Sequence, residues 1–351
     1  MELKGNVLLF YSFDIGDEIY LEDIESKGLL PIKKIPLSPY FKNYHRPLSF
    51  TLEDAENEKE SSCILSKIHH FGVFSFCYKV PFRSSFDELK HNIIDIKRTF
   101  DTKSKNDANI IYEQILKTIK KPKFFNLDNF YFAVQVDPLQ DGTTPEQFKE
   151  KFGEKIASLL RLEKEKLSRF QINEILEATI SYSDEDIMVL DSEASFIYDD
   201  EYFESIEFFE LANVQQLELQ YFDRTLDQQL NVFYSREHYK IPIKAYIPFF
   251  GEKANSPIYM LSQLRVDISV ITERLENSIK MAGDTYFSNF FKILQDQLAL
   301  KEWSVSIDSK LEIIKDLYAV HLGRLDIIHD QILTLVIIVL IIVEALIAVL
   351  K

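Results

Sequence analysis

Glycine is scarce in this chain, 9 in 351 residues, against a usual share of about 7%. No two glycines stand close enough to write a Gly-x-Gly-x-x-Gly fingerprint or a Gly-x-x-x-x-Gly-Lys phosphate loop. That excludes the commonest nucleotide-binding turns. Cysteine is scarcer still. Cys63 and Cys77 alone build neither a disulfide scaffold nor a zinc-ligand pattern, and so few thiols fit a reducing compartment. Positive charge is in deficit: 40 Lys+Arg stand against 56 Asp+Glu, a formal net charge of -16. Nucleic acid is therefore not expected as a partner. The mean hydropathy of -0.10 suits a soluble protein, but it averages over one very apolar block.

That block is Ile332 to Leu350, ILTLVIIVLIIVEALIAVL, with Glu344 as its one ionisable group. At ~1.5 Å per residue a helix of this length covers roughly 28 Å, close to the ~30 Å hydrocarbon core. Buried helices of soluble proteins seldom carry more than about 10–14 unbroken apolar residues, so residues 332–350 read as a transmembrane helix with the lipid bilayer as partner. Only Lys351 follows, which makes the span a tail anchor. The opening MELKGNVLLFYSF is neither a secretory signal nor an Arg-rich transit peptide, so the bulk of the chain is expected in the cytosol, on the inner membrane if the source is bacterial. A carboxylate within the span costs a few kcal/mol. Glu344 is thus a candidate intramembrane site, to be protonated, paired with another chain or drawn to the far headgroups.

Upstream, Ile307, Leu311, Ile314, Tyr318, His321, Leu325, Ile328 and Ile332 step alternately by four and three, the seam of a helix that pairs with others. A second stripe holds Leu261, Leu264, Ile268, Ile271 and Leu275, and a third helix, from about Asp200 to Arg236, carries Leu219, Phe222, Leu226, Leu230 and Phe233. Pro242, Pro248 and Pro257 mark an extended connection between these two helices. Residues 199–331 are therefore expected to form a long-helix bundle or coiled-coil stalk of antiparallel helices.

The first 198 residues have a different period. Asn6 to Phe13 reads as a strand, and Asp17 to Lys27 as a short helix stopped by Gly28. Two strands flank His70-Phe71-Gly72, with Phe74, Phe76, Tyr78 and Val80 alternating onto a buried face. Ser85 and Glu88 form a capping box ahead of Phe86, Leu89, Ile93, Ile96 and Phe100. A second helical stretch at 107–120 precedes a strand from Phe130 to Pro138, and Thr144-Pro145 opens another helix. ATISY, DIMVL and ASFIY are further strands. Interleaved helices and hairpins point to an α+β domain over 1–198, divisible into 1–122 and 123–198.

Candidate chemistry is sparse. Asp191, at the end of DIMVL with Glu193 two residues on, stands where phosphatase-type haloacid dehalogenases place a nucleophile; an acidic surface turn explains it better. Its neighbours Asp184, Glu185, Asp186, Asp199, Asp200 and Glu201 suit either a hard cation or the positive end of a helix. His69 and His70 point to opposite faces of a strand and do not chelate one metal. Lys117, Lys120, Lys121 and Lys123 form a basic patch that reads as a solvated helix end. No metal, cofactor or catalytic residue is assigned.

The string ELANVQQLELQYFDRTLDQQL (Glu210 to Leu230), the later heptad helix and the terminal VLIIVEALIAV with Glu344 resemble the required-for-meiotic-nuclear-division family and its uncharacterised bacterial relatives. The resemblance covers roughly 200–351. It implies an α+β N-terminal domain, long helices, one C-terminal membrane helix with a late acid, and a membrane-tethered oligomer that anchors rather than catalyses. The expectation is a non-enzymatic, tail-anchored interaction or scaffold protein, homo-oligomeric, with protein partners still to be identified. An ion-transport-associated or channel-like protein is the alternative, and a membrane-attached metal-dependent hydrolase using Asp191 a further one.

Overall fold

A computed structural model describes residues 1–33, 46–52, 62–124, 128–163, 165–235, 264–266, 268–269 and 285–350, without the side chains of 232–235, 321–322 and 324–325. The expected proline-marked connection, the Leu261, Ile271 and Leu275 positions, and the side chains of Phe233, His321 and Leu325 lie outside these described residues. The chain divides into two compact units, Met1–Gln220 with Arg274–Glu302, and Tyr221–Glu273 with Trp303–Lys351.

The first unit is an α+β domain built on one mixed sheet. β1 (Leu3–Asp14) lies at its centre, hydrogen-bonded antiparallel along its whole length to β5 (Val73–Ser84) and to β7 (Asp128–Val136). β4 (Ser62–His69) and the short β3 (Leu48–Ser49) extend one edge. β10 (Ala194–Tyr198) joins β7 in the sheet's one parallel pairing, followed by β9 (Ile187–Leu190) and β8 (Thr179–Ile180). A separate pair, β2 (Glu18–Ile19) with β6 (Ile119–Lys120), closes the end near Asp14. Strands from both sides of residue 122 thus share one sheet.

Nearly every residue of β1 is buried, because helices cover both faces of the sheet. On one face, α2 (Phe86–Ile115), α3 (Pro145–Arg161) and α4 (Arg169–Glu177) pack over Val7, Leu9, Tyr11, Phe13, Phe74 and Phe76. Capping boxes open all three helices, from Ser85, Thr144 and Ser168, each fixing two otherwise orphaned N–H groups. The polar run around 104–107 does not split α2 into the two helices expected: buried Ser104 and Ala108 carry the inner stripe through it. Helix instead gives way after Ile115, where β6 begins shortly downstream.

α1 (Leu21–Lys27) is shorter than expected, since residues 18–19 pair with β6; it stops at Gly28, which takes the left-handed conformation (φ 59°) that glycine adopts without strain. The turn between β4 and β5 does fall at His70–Gly72, where a Cβ on Gly72 would sit 1.8 Å from the Gly16 carbonyl oxygen. Only glycine fits there.

The other face of the sheet is covered by the first turns of α5 (Phe203–Ser235) and by α6 (Thr285–Gln297). Phe209 stacks on Tyr131 at 5.5 Å and meets Phe10 at 5.8 Å, while Phe208 stacks on Phe287 at 5.1 Å. In the second unit, the remainder of α5 and the long α7 (Leu300–Leu350) are joined by Lys310, whose Nζ lies 2.6 Å from Asp223 Oδ1 and 2.7 Å from Asp227 Oδ1. Leu226, Ile268, Ile307, Leu311 and Ile314 are buried there.

Candidate functional site

Strand parity sends alternate side chains to opposite faces. It gathers Ser12 and Asp14 of β1, Lys67 and His69 of β4, and Ser75 and Cys77 of β5 onto the face that α5 covers. Glu210 of α5 enters this group. Its Oε2 accepts from Lys67 Nζ at 3.1 Å, and its Oε1 lies 2.7 Å from His69 Nε2 and accepts from the Ser75 hydroxyl. Glu207 Oε1 stands 3.8 Å from Lys67 Nζ on the outer side. Lys67, His69, Ser75 and Glu210 are each 3% exposed or less. Burial pushes the Glu210 carboxyl up, but the charges of Lys67 and His69 and the hydrogen bonds from His69 and Ser75 outweigh it, giving a pKa of about 2.

Ser, His and Glu in contact invite comparison with a nucleophilic triad. Such a relay places the serine on one imidazole nitrogen and the acid on the other. Here His69 Nε2 faces both Ser75 Oγ, at 3.2 Å, and Glu210, so the carboxylate takes the serine proton's hydrogen bond directly. The arrangement is a sealed charge clamp that fixes α5 on the sheet. Cys77 lies on the same face, its thiol pushed up first by burial.

A second buried set lies at the end of β1. Asp14 Oδ1 accepts from the Gly16 N–H at 3.2 Å, and Oδ2 has no hydrogen-bond partner among the described residues. Burial pushes this carboxyl up to about 8, with repulsion from Asp17 adding to it and Gly16 N–H and Lys123 opposing it. Glu218, buried on α5, is also raised well above the carboxylate range, by burial first and then by the charges of Asp14 and Asp17. Between the two sets the face is stitched by amides: Asn213 Nδ2 donates to Ser12 Oγ at 2.9 Å, and Asn129 Nδ2 to Gln216 Oε1 at 2.7 Å.

The residues singled out by sequence go elsewhere. Asp191 is buried in ionic contact with Arg161, 2.7 Å from its Nε, and its Oδ1 accepts from the Ser192 N–H. Lys120 and Lys121 of the basic patch pair with Glu18 and Asp17 at 3.3 and 2.7 Å. Among the described residues, no three His, Cys, Asp or Glu side chains converge on a metal-sized point. His69 is the last residue of β4 and is buried. Cys77 sits on the face opposite the aromatic one. Cys63 does not, because a bulge between Cys63 and Leu65 shifts the register and turns it toward the aromatic core.

Along α7, Ile307, Leu311 and Ile314 are buried and Tyr318 and Ile328 half-buried. Asp326–Leu350 is the one helical stretch among the described residues long and apolar enough to cross a membrane, and none of it is buried in the chain. Glu344 lies on this exposed stretch.

A family model described as "Uncharacterized protein MJ0711, N-terminal domain" matches residues 4–204, more than half of the chain. The chain belongs to the MJ0711 family. The protein of that name from Methanocaldococcus jannaschii is 24% identical over 265 residues, 75% of this chain and 80% of that relative. No solved structure matches. The family match spans the whole sheet, including Lys67, His69 and Ser75, and stops before Glu207 and Glu210. The resemblance to the meiotic-nuclear-division family rests on Glu210–Leu230, the later heptad helix and residues 339–349, outside that match, and the comparisons show nothing of it.

The charge clamp escaped sequence reasoning, although two signals for it are present. Lys67 and His69 flank Ile68, so that a cation and a histidine share one face of a strand, and Glu210 is a lone acid in the apolar run FFELA. An isolated charge inside an apolar helical stripe is the mark of a buried ion pair.

Proposed function

We propose that this member of the MJ0711 family is a membrane-anchored interaction protein that holds an α+β domain at a bilayer surface and assembles with further copies of itself. One observation carries the anchoring: within the apolar stretch Asp326–Leu350, every side chain from Leu333 onward is exposed. An apolar surface of that size is not left in water by a soluble chain. A helix of 25 residues rises through roughly 37 Å, enough to span with tilt.

A non-enzymatic role is supported by the way the reactive groups are used. Ser75, His69 and Glu210 are sealed from solvent, and Asp191 is held by Arg161. Self-assembly is supported by the heptad steps of α7 running toward the span, since identical helices in one bilayer meet at high effective concentration.

Flotation on phosphatidylcholine vesicles tests the anchor: the full chain rises with the lipid, and a chain lacking 332–351 stays in the load. Equal behaviour of the two overturns it. Native mass measurement in detergent tests assembly, and a strict monomer overturns that half of the reading.

A further inference from the structure

On the first unit, the loops beside β9 and β10 and the start of α5 enclose an open cleft of about 1200 Å³. Small-molecule pockets run to about 300–1,000 Å³, so the space suits a chain segment rather than a metabolite. Two aromatic rings stand on its walls with most of their surface in water, Tyr182 at 70% and Phe203 at 62% exposure. Tyr182 is not loose: its ring meets Tyr286 edge-on at 5.0 Å, and its N–H donates to Asp186. Asp186 also accepts from the Ser183 N–H and hydroxyl, fixing the loop.

Among the described residues, every charged side chain lining the cleft is an acid. Asp184, Glu185, Asp200, Glu201 and Glu204 are exposed and have no ion-pair partner among the described residues. Half-buried Asp199 feels their field. Its carboxyl is raised first by burial, and the charges of Asp186 and Asp200 add to that. These acids do not converge on one point, which argues against a single metal ion and for an occupant whose positive charges are spread along its length. The Phe203 ring already draws one cation, Lys79 Nζ at 5.8 Å from its centroid.

We propose that this cleft binds an extended, Lys/Arg-bearing segment of a partner protein, its cations on the acids and its stems and guanidinium planes on Tyr182 and Phe203. The proposal deepens the interaction-protein reading and rests on it. Flotation reports that reading separately, so failure of the cleft leaves vesicle binding intact.

The test uses the full chain in phosphatidylcholine nanodiscs and fluorescence anisotropy of a labelled nonapeptide, (Lys-Arg-Gly)₃, with (Asp-Glu-Gly)₃ as control. Asp200→Asn/Glu201→Gln/Glu204→Gln weakens binding by about tenfold or more, and Tyr182→Ala or Phe203→Ala by about threefold or more. Glu25→Gln/Glu113→Gln/Glu150→Gln, which removes as many exposed acids elsewhere on the unit, leaves it within about twofold. Three outcomes overturn the proposal: no binding of the basic peptide, equal losses in the two acid triples, or displacement by spermidine at the same concentration as by unlabelled peptide.

Discussion

The two faces of the sheet are both buried and are held by different physics. Toward α2 and α3 the face is a continuous aromatic layer, with Phe76 touching Phe13, Phe50, Phe74 and Tyr78 within about 6.3 Å. Toward α5 an aromatic centre around Phe10 and Phe209 is flanked by the Lys67–Glu210 clamp on one side and by Asp14 and Glu218 on the other. Apolar contacts add up without regard to direction, whereas buried charges and amides accept one arrangement. The first face thus supplies stability, and the second fixes the register of α5.

The sharpest test is whether a deletion can be rescued. Glu210→Ala leaves the buried Lys67 ammonium with only the longer contact to Glu207, at 3.8 Å, and should lower stability by about 4 kcal/mol. Adding Lys67→Met and His69→Leu to Glu210→Leu should recover most of that, because an apolar replacement removes the desolvation penalty together with the pair. Phe76→Ala should also cost about 4 kcal/mol, through lost transfer energy and a cavity, and no second polar substitution repairs it. Denaturant midpoints of the chain in detergent decide the matter. If the Glu210 loss resists rescue, the clamp is more than an orienting device.

The pH dependence should separate the two acidic ends of the α5 face. Glu210 has a folded pKa of about 2, depressed from 4.5, so its contribution is present above pH ~4.5 and lost as pH falls toward 2, up to about 3 kcal/mol. Asp14 has the opposite sign. Its folded pKa of about 8 lies above 3.8, so between pH ~4 and ~8 the folded state holds a proton that the unfolded state has released. Stability therefore declines as pH rises through that window and levels off above it. Asp14→Asn should reduce the decline to the share that Glu218, raised in the same direction, contributes, and leave the acid limb unchanged; an undiminished slope assigns it to another group.

The aromatic face was legible in the sequence because it repeats: Phe74, Phe76, Tyr78 and Val80 alternate in one run, and Ser85 with Glu88 announces the helix that covers them. The apolar C-terminal helix was legible because a nineteen-residue run with one ionisable group has few alternatives. The α5 face was not, since its charges belong to segments more than 100 residues apart; the Lys67–Glu210 hydrogen bond joins positions 143 apart in the chain. A long-range pair of opposite sign leaves only two isolated charges in apolar runs. The cleft shared that fate: its acids were visible as a cluster, and the fold was needed to place Tyr182 and Phe203 among them.

The smallest effect probes the rim of the aromatic layer. Tyr11 and Tyr78 carry hydroxyls into it, and both donate outward to α2, to Asp101 at 2.8 Å and Asp107 at 2.7 Å. The rings are buried, but Asp101 and Asp107 are half-buried and within reach of water. Tyr78→Phe keeps the ring contacts and removes one hydrogen bond whose acceptor can rehydrate, so the loss should be about 1 kcal/mol. Glu210→Ala removes an acceptor whose donors stay dry, and that difference in solvent access is the reason for the roughly fourfold gap in expected cost. Should Tyr78→Phe prove as damaging as Glu210→Ala in the same denaturation experiment, the aromatic face would depend on oriented polar contacts as much as the α5 face does, and the contrast between them would collapse.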